Sequence, residues 1–391
     1  MTDPAPRFTF HRPDLARSLA DALAGTGLVD ARSGLFLAAP RRTGKSTFLT
    51  EDLMPEIRHH GWLPVYADLW ADRARDPALL IADAIKTSLR AHEGVIARMA
   101  KSAGVEKISV LQTFVLDLKR AGLPDGVTLT DTLGLLCKAA KKPVVLIVDE
   151  AQHALSSEAG IDAMFALKSA RDQLNRAAAD PQLHLVLTGS NRDKLAHLVL
   201  NRTQPFFGST VTTFPLLDRA FTDALTAWIN KKLAAGNQFD PSEVFGAFKL
   251  VGHRPEMLRT IIAEIALDMG QAQQLGKLLK KGAANWRDRV WGEIESEFSA
   301  LTDVQQTVLT VLIESGSSYS PFAEAAMQAY AALLGKSAFT SATVQSALDA
   351  LREKNLIWRA GRGAYALEDE NLTVWYKDAK ARGRFKRRET F

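Results

Sequence analysis

One cysteine, Cys137, is present in 391 residues, which excludes an intrachain disulfide and a cysteine-based zinc site. No run of about 18 uninterrupted apolar residues occurs, so no membrane span is expected. The opening segment MTDPAPRFTFHRP lacks the apolar stretch of a secretory leader, and the expected location is the cytoplasm. Excess charge is lacking too, over most of the chain. There are 49 basic against 44 acidic residues, a net +5. The last fifteen residues hold seven basic groups (Lys377, Lys380, Arg382, Arg384, Lys386, Arg387, Arg388) and two acids, so residues 1–376 sum to zero. The surplus describes a basic tail on a balanced body and does not mark the whole molecule as a nucleic-acid binder. A hydrophobic fraction of 47% and a charged fraction of 24% exclude wholesale disorder. The length predicts two or three domains with their own cores.

The first half alternates short apolar runs with helical patterns. Residues 34–38, 63–69, 144–148 and 183–187 read as strands, with a weaker fifth at 211–216. Apolar runs without in/out alternation point to strands covered on both faces. Helical patterns fall at about 46–58, 77–98, 107–121, 129–140, 160–178 and 191–200. This is an α/β pattern with a mostly parallel sheet. After residue 216 the texture becomes helical, with segments near 219–235, 241–250, 255–268 and 271–281. A third unit starts near Phe298. Thr302 to Gln305 fits a capping box, Val304, Val308, Val311 and Leu312 follow at helical spacing, and residues 341–354 form another helix. Leu356–Arg359 and Ala364–Leu367 flank Gly361-Arg362-Gly363, a hairpin pattern. Helices ending in a hairpin outline a winged helix.

The most specific motif is Ala39-Pro40-Arg41-Arg42-Thr43-Gly44-Lys45-Ser46, followed by Thr47. It fits the P-loop pattern with Ala39 in place of the first glycine. Gly44 permits the tight backbone that aims successive N–H groups at phosphate oxygens. Lys45 supplies a cation for the β- and γ-phosphates of ATP, and the Ser46 hydroxyl can ligate Mg²⁺. A helix starting at Ser46 directs its positive end at the same anion. The plain alternative is an ordinary strand–turn–helix connection with an incidental lysine.

A second motif lies 104 residues on, where Val144–Val148 lead into Asp149-Glu150. An apolar strand ending in two carboxylates is the Walker B pattern. Asp149 would hold Mg²⁺, and Glu150 would polarise the attacking water. Another polar strand end is Thr188-Gly189-Ser190-Asn191. Ser190 or Asn191 could hydrogen-bond the γ-phosphate or the water, or simply cap the next helix. His153 reads as a surface histidine at a helix start, the alternative being one that faces a neighbour or the γ-phosphate region, and Asp68 reads as a capping residue.

The order of these elements resembles the AAA+ ATPases, within the branch holding the archaeal-type, origin-recognition and signal-transduction (STAND) ATPases. The phrases Pro40–Ser46 and Asp149-Glu150-Ala151-Gln152 are particularly similar to that branch, and the resemblance spans about residues 8–376. It implies a core at 1–216, a helical lid at 217–297 and a winged-helix domain at 298–376, and the charge count adds a basic tail at 377–391. It also implies ATP hydrolysis and a homo-oligomer in the ATP state. Arg202 occupies the interval where arginine fingers lie, although a surface arginine is the alternative. Ser209 stands where relatives often carry an arginine, a departure that bears on hydrolysis across subunits. Gly252-His253-Arg254-Pro255 resembles the sensor 2 region, which implies that Arg254 reaches the nucleotide. The alternative is an exposed arginine before a helix-starting proline.

Residues 298–376 hold five basic and eight acidic groups, and the candidate recognition helix at 341–354 is neutral. Phosphate neutralisation dominates DNA affinity, so this winged helix offers little of it. The block Arg382–Arg388, with Phe385, could follow a phosphate backbone, dock on an acidic partner protein or be a solvated terminus. Three uses of the nucleotide site follow: an ATPase acting on or recruited to duplex DNA, a STAND-like switch controlling a partner effector protein, and a scaffold that binds nucleotide with little turnover.

Overall fold

Strands covered on both faces need helices on either side of the sheet, and the chain provides them. The structure is a computed structural model describing residues 8–102, 127–176, 181–200, 202–234, 236–267, 274–335, 340–361 and 363–383. The helical pattern expected at 107–121 lies outside the described residues. The chain forms two units, one comprising His11–Ala39 and Lys45–Phe214, the other the residues up to Phe10, Pro40–Gly44 and Pro215 onward.

The first unit holds a five-stranded sheet in the order β2-β3-β4-β1-β5. The strands are β1 (Leu35–Ala38), β2 (Leu63–Asp68), β3 (Val144–Asp149), β4 (Leu183–Gly189) and β5 (Val211–Thr213). All neighbours are parallel. The pleat sends Phe36, Val65, Leu146 and Leu185 to one face, where they join Ile81, Leu133, Met164 and Leu195. It sends Leu35, Leu37, Val145, Ile147 and Val186 to the other, against Leu23, Leu49 and Ile57. The helices on the first face are α4 (Pro77–Arg90), α5 (Glu93–Ser102), α6 (Leu129–Ala140), α7 (Glu158–Arg176) and α8 (Arg192–Leu200). Those on the second are α1 (Pro13–Ala24), α2 (Lys45–Phe48) and α3 (Met54–His59), the last two joined by a π-helical turn at Leu49–Leu53. The pattern read as one helix over 77–98 is two, since the chain turns at Ala91-His92. The fifth strand is shorter than its apolar run because residues 214–216 leave the sheet.

Register places the chemistry. Ala38 pairs with Gly189, and Asp68 pairs with Asp149. The C-terminal ends of β1, β2, β3 and β4 therefore sit side by side, the edge where open parallel sheets bind ligands.

The second unit contains a helical lid of α9 (Arg219–Asn230), α10 (Pro241–Leu250), α11 (Pro255–Leu267) and α12 (Leu275–Ser299). Asp218 and Asp240 cap α9 and α10 through their side chains. Phe8 and Phe10 pack on Phe221 at ring separations of 6.2 and 5.8 Å. Helix α12 runs 18 residues beyond the end expected near 281. Gly282 marks a close crossing and not a stop, because a Cβ there would lie 2.7 Å from Ile261 Cγ2. Apolar side chains at Leu279, Ala283, Trp286, Val290, Ile294 and Phe298 keep one face continuous.

The winged helix follows. It contains α13 (Asp303–Ser315), α14 (Glu324–Leu334), α15 (Ser341–Glu353), the hairpin β6 (Ile357–Gly361) and β7 (Ala364–Leu367), and α16 (Asn371–Ala381). Thr302 and Gln305 form the expected capping box on α13. Tyr319 and Tyr330 share a 2.7 Å hydroxyl contact inside the core. Helix α16 returns to this core, with Trp375 5.3 Å from Phe298 and Ala379 buried. Lys377–Ala381 are thus helical, which alters the expectation of a separate tail from 377. Lys380 pairs with Glu314, and Arg382 with Asp378 at 2.7 Å. Residues 384–391 lie outside the described residues. Among the described residues no helix is long and apolar enough to cross a membrane.

Candidate functional site

The loop after β1 takes its shape from two left-handed residues, Arg42 (φ +64°) and Gly44 (φ +88°). Ala39 is not among the positive-φ residues and is fully buried, so alanine fits where the motif usually has glycine. Thr43 Oγ1 donates to the Pro40 carbonyl at 2.7 Å and closes the turn. Consecutive backbone N–H groups in such a turn form a concave anion site. Lys45 and Ser46 then open α2, and Thr47, beside them, is exposed.

Lys45 is 5% exposed. Its Nζ donates to Asp149 Oδ1, to Glu150 Oε1 at 2.9 Å and to Thr188 Oγ1 at 2.9 Å. Ser46 Oγ donates to Asp149 Oδ2 at 2.6 Å, and Thr188 Oγ1 donates to Asp149 Oδ1. Burial works against charge on Asp149, but Lys45 and the hydrogen bonds from Lys45, Ser46 and Thr188 outweigh it and hold the carboxyl below its ordinary value. Side chains from separate strand ends and one helix start therefore converge on a single carboxylate.

Glu150 stands in the left-handed region (φ +56°, ψ +41°), a strained backbone costing about 1–3 kcal/mol. The turn aims its carboxylate at the end of β4. Glu150 Oε2 accepts from Ser190 Oγ at 2.6 Å, Ser190 N–H at 3.2 Å and Gln152 Nε2 at 2.5 Å. Burial disfavours its charge, yet Lys45, Ser190 and Gln152 together hold its pKa below the ordinary value. Both oxygens of the expected water-polarising residue are thus engaged.

Of the predicted residues, Lys45, Ser46, Asp149, Glu150 and Ser190 come together. Asn191 caps α8, its Oδ1 accepting the Lys194 N–H at 2.7 Å. Arg202 is exposed on the turn after α8. Arg254 pairs with Asp369 at 3.1 Å. His153 is not the surface histidine expected: it is half-buried, with its ring 4.2 Å from that of Trp70. Asp68 acts as a turn cap, accepting the Trp70 N–H at 2.8 Å.

Three residues of the site are not assigned by sequence reasoning. Thr188 is legible as the polar end of an apolar strand. Gln152 is legible only as part of a phrase, not as the amide holding Glu150. Tyr66 gives no signal, yet its hydroxyl donates to Asp149 Oδ2 at 2.9 Å. Burial, then the neighbouring Asp149, push the phenol pKa upward and keep it a donor.

The donor set fits a hard divalent cation and a nucleotide phosphate. The Ser46 hydroxyl and Asp149 carboxylate are adjacent oxygen ligands, the type Mg²⁺ takes. A buried lysine and a positive-φ backbone turn suit the phosphates.

Comparison with known proteins agrees on the fold. No family model matches the chain, and no curated protein matches it. Among solved structures, the Walker-type ATPase PABY2304 of Pyrococcus abyssi aligns over 94% of this chain and 96% of its own, at 17% identity and a TM-score of 0.54. The ORC2 protein of Aeropyrum pernix, in an ADP form, aligns over 95% and 93%, at 14% identity and a TM-score of 0.53. The chain thus has the AAA+ fold: a parallel P-loop core, a helical lid and a winged helix.

Proposed function

We infer that this chain, with the AAA+ fold as premise, is an ATP-binding and ATP-hydrolysing switch recruited to duplex DNA. The observation that carries the nucleotide reading is the convergence of Lys45, Ser46, Thr188 and Tyr66 on Asp149, with Glu150 held beside them by Ser190 and Gln152. The division into core, lid, winged helix and tail is carried into this proposal.

In this reading the backbone of Pro40–Gly44 cradles the phosphates, and Lys45 leaves the two carboxylates for the β- and γ-phosphates. Ser46 and Asp149 would hold Mg²⁺, which supplies neutralisation of phosphate charge when bound. Thr188 and Tyr66 fix the Asp149 carboxylate as Lys45 moves. Glu150, relieved of the lysine, becomes a better proton acceptor and orients the attacking water, while Ser190 and Gln152 set its direction. Arg202 is assigned to a neighbouring copy's site in an ATP-state homo-oligomer.

Recruitment to DNA is suggested by the motif resemblance to origin-recognition ATPases. A second reading, a switch acting on a partner protein, is favoured by α15. Its exposed residues include Ser341, Ala342, Thr343, Ser346 and Asp349, and the neighbouring Arg352 pairs with Asp349 at 3.7 Å, so the face offers phosphate little net positive charge. The deciding experiment measures phosphate release and oligomer size with and without duplex DNA at two salt concentrations, for the full chain and for a deletion of residues 384–391. Salt-sensitive stimulation that the deletion loses supports DNA. No DNA response, with tight nucleotide retention, supports the partner reading. No turnover under any condition leaves a nucleotide-binding scaffold.

A further inference from the structure

The Gly252–Arg254 turn of the lid is built against the start of α16. Gly252 (φ +65°) and His253 (φ +56°) both lie in the left-handed region. A side chain on Gly252 would come within 2.9 Å of Asn371 Nδ2, so glycine lets the turn approach the start of α16 without moving that amide. Histidine in that conformation costs about 1–2 kcal/mol. The His253 Nδ1–H offsets it by donating to the Leu217 carbonyl at 2.8 Å, and its ring meets Phe248 edge-on at 5.0 Å.

The turn fixes the position of Arg254. Its guanidinium donates to Asp369 Oδ2 at 3.1 Å, lies 5.4 Å from the Trp286 ring, and is 16% exposed. Asp369 is also a helix cap, since its Oδ1 accepts the Asn371 N–H at 2.9 Å at the start of α16. Arg254 and Asp369 line a cavity of about 730 Å³ together with Arg41 and Arg42 of the phosphate loop. Arg42 also faces a carboxylate, with Nε 3.6 Å from Glu256.

We propose that Asp369 is a built-in competitor of the nucleotide: its carboxylate occupies Arg254, and the phosphate of incoming ATP must take the arginine from it. This rests on the nucleotide reading above. A guanidinium stays charged throughout and satisfies carboxylate and phosphate with the same planar donor fork, so the exchange is one anion for another. It reaches the winged helix because Asp369 caps the helix whose Leu372, Trp375 and Tyr376 are buried in that domain's core. Once Arg254 turns to phosphate, Asp369 keeps only its cap and the lid loses its charged tie to the wing. The coupling is reciprocal. A partner that draws the wing from the lid tightens ATP, and one that presses them together weakens it.

The test is Asp369→Asn, which keeps the cap acceptor and the side-chain size but removes the charge. The full chain is titrated with a fluorescent ATP analogue and Mg²⁺. Asp369→Asn is expected to bind about five- to tenfold more tightly. Arg254→Ala binds more weakly than wild type, and adding Asp369→Asn to it changes nothing. Thermal unfolding of both single variants guards against misfolding, each losing the same tie and a similar few degrees. Unchanged or weaker binding by Asp369→Asn, or an equal gain in the Arg254→Ala background, overturns the proposal alone, provided Lys45→Ala abolishes binding. If wild type and Lys45→Ala bind equally, or neither binds, the nucleotide reading falls and the proposal with it.

Discussion

Lys45 Nζ lies 2.9 Å from Glu150 Oε1, so the cation expected on phosphate and the carboxylate expected on water neutralise one another. In the proposed function the pair is a resting arrangement that a phosphate must open. Removing the lysine leaves buried carboxylates unpaired. Lys45→Ala should lower stability by about 3 kcal/mol and reduce nucleotide affinity by about 100-fold or more. Glu150→Gln should bind ATP within about threefold of wild type while phosphate release falls about 100-fold or more. Calorimetric titration and a phosphate-release assay measure the two effects, and wild-type turnover in Glu150→Gln would remove this residue from the chemistry.

Tyr66 meets both candidate Mg²⁺ ligands through its hydroxyl, donating to Asp149 Oδ2 at 2.9 Å and contacting Ser46. Tyr66→Phe keeps the ring and loses both contacts. Because such outer partners orient metal ligands, the Mg²⁺ concentration for half-maximal nucleotide binding should rise about tenfold. Binding in chelator should stay the same. An equal loss with and without Mg²⁺ would mean that Tyr66 only supports packing.

Gly189 leaves room for the amide of Gln152, since a Cβ there would lie 2.5 Å from Gln152 Oε1. That atom ends a flexible side chain, so Gly189→Ala should move the amide at a cost near ~1 kcal/mol. Displaced, Gln152 no longer holds Glu150. Both Gly189→Ala and Gln152→Ala should lower kcat about tenfold with KM unchanged. A rise in KM at constant kcat would assign these residues to binding instead.

His184 is buried in β4 and stacked on Trp62 at 4.5 Å. Burial lowers its pKa to about 4, from 6.5. The folded protein refuses a proton that the unfolded chain accepts near 6.5, so stability is full above that value and is lost as pH falls toward about 4. The loss reaches about 3 kcal/mol. Urea midpoints between about pH 7 and about pH 4.5 should decline more steeply for wild type than for His184→Leu, and parallel declines would rule out this histidine as the cause.

Local spacing carries much of the architecture. Apolar runs locate β1 to β4, Thr302–Gln305 announces its cap, and the Gly361–Gly363 turn announces the hairpin, because each depends on neighbours in sequence. The helix over 275–299 reads short in the sequence because Gly282 looks like a terminator until Ile261 is seen against it. The tail reads long because the pattern of α16 is weak, and only its packing on Phe298 shows where the domain ends. A truncation at Tyr376 would therefore remove the buried Ala379, whereas one after Gly383 spares the core.

What the sequence by itself determined is the set of candidate groups: a loop of phosphate-binding pattern at 39–46, two acids at 149–150 and a polar strand end at 188–191, each readable within a few residues. Only the tertiary structure decided their partners. Parallel crossovers set β4 between β3 and β1, and that order brings Thr188 and Ser190 to carboxylates about forty residues away. It brings Tyr66 to Asp149 across 83 residues, and helix packing joins Arg254 to Asp369 across 115. Such pairings depend on strand order and helix packing, which are properties of the assembled chain and leave no trace in local spacing.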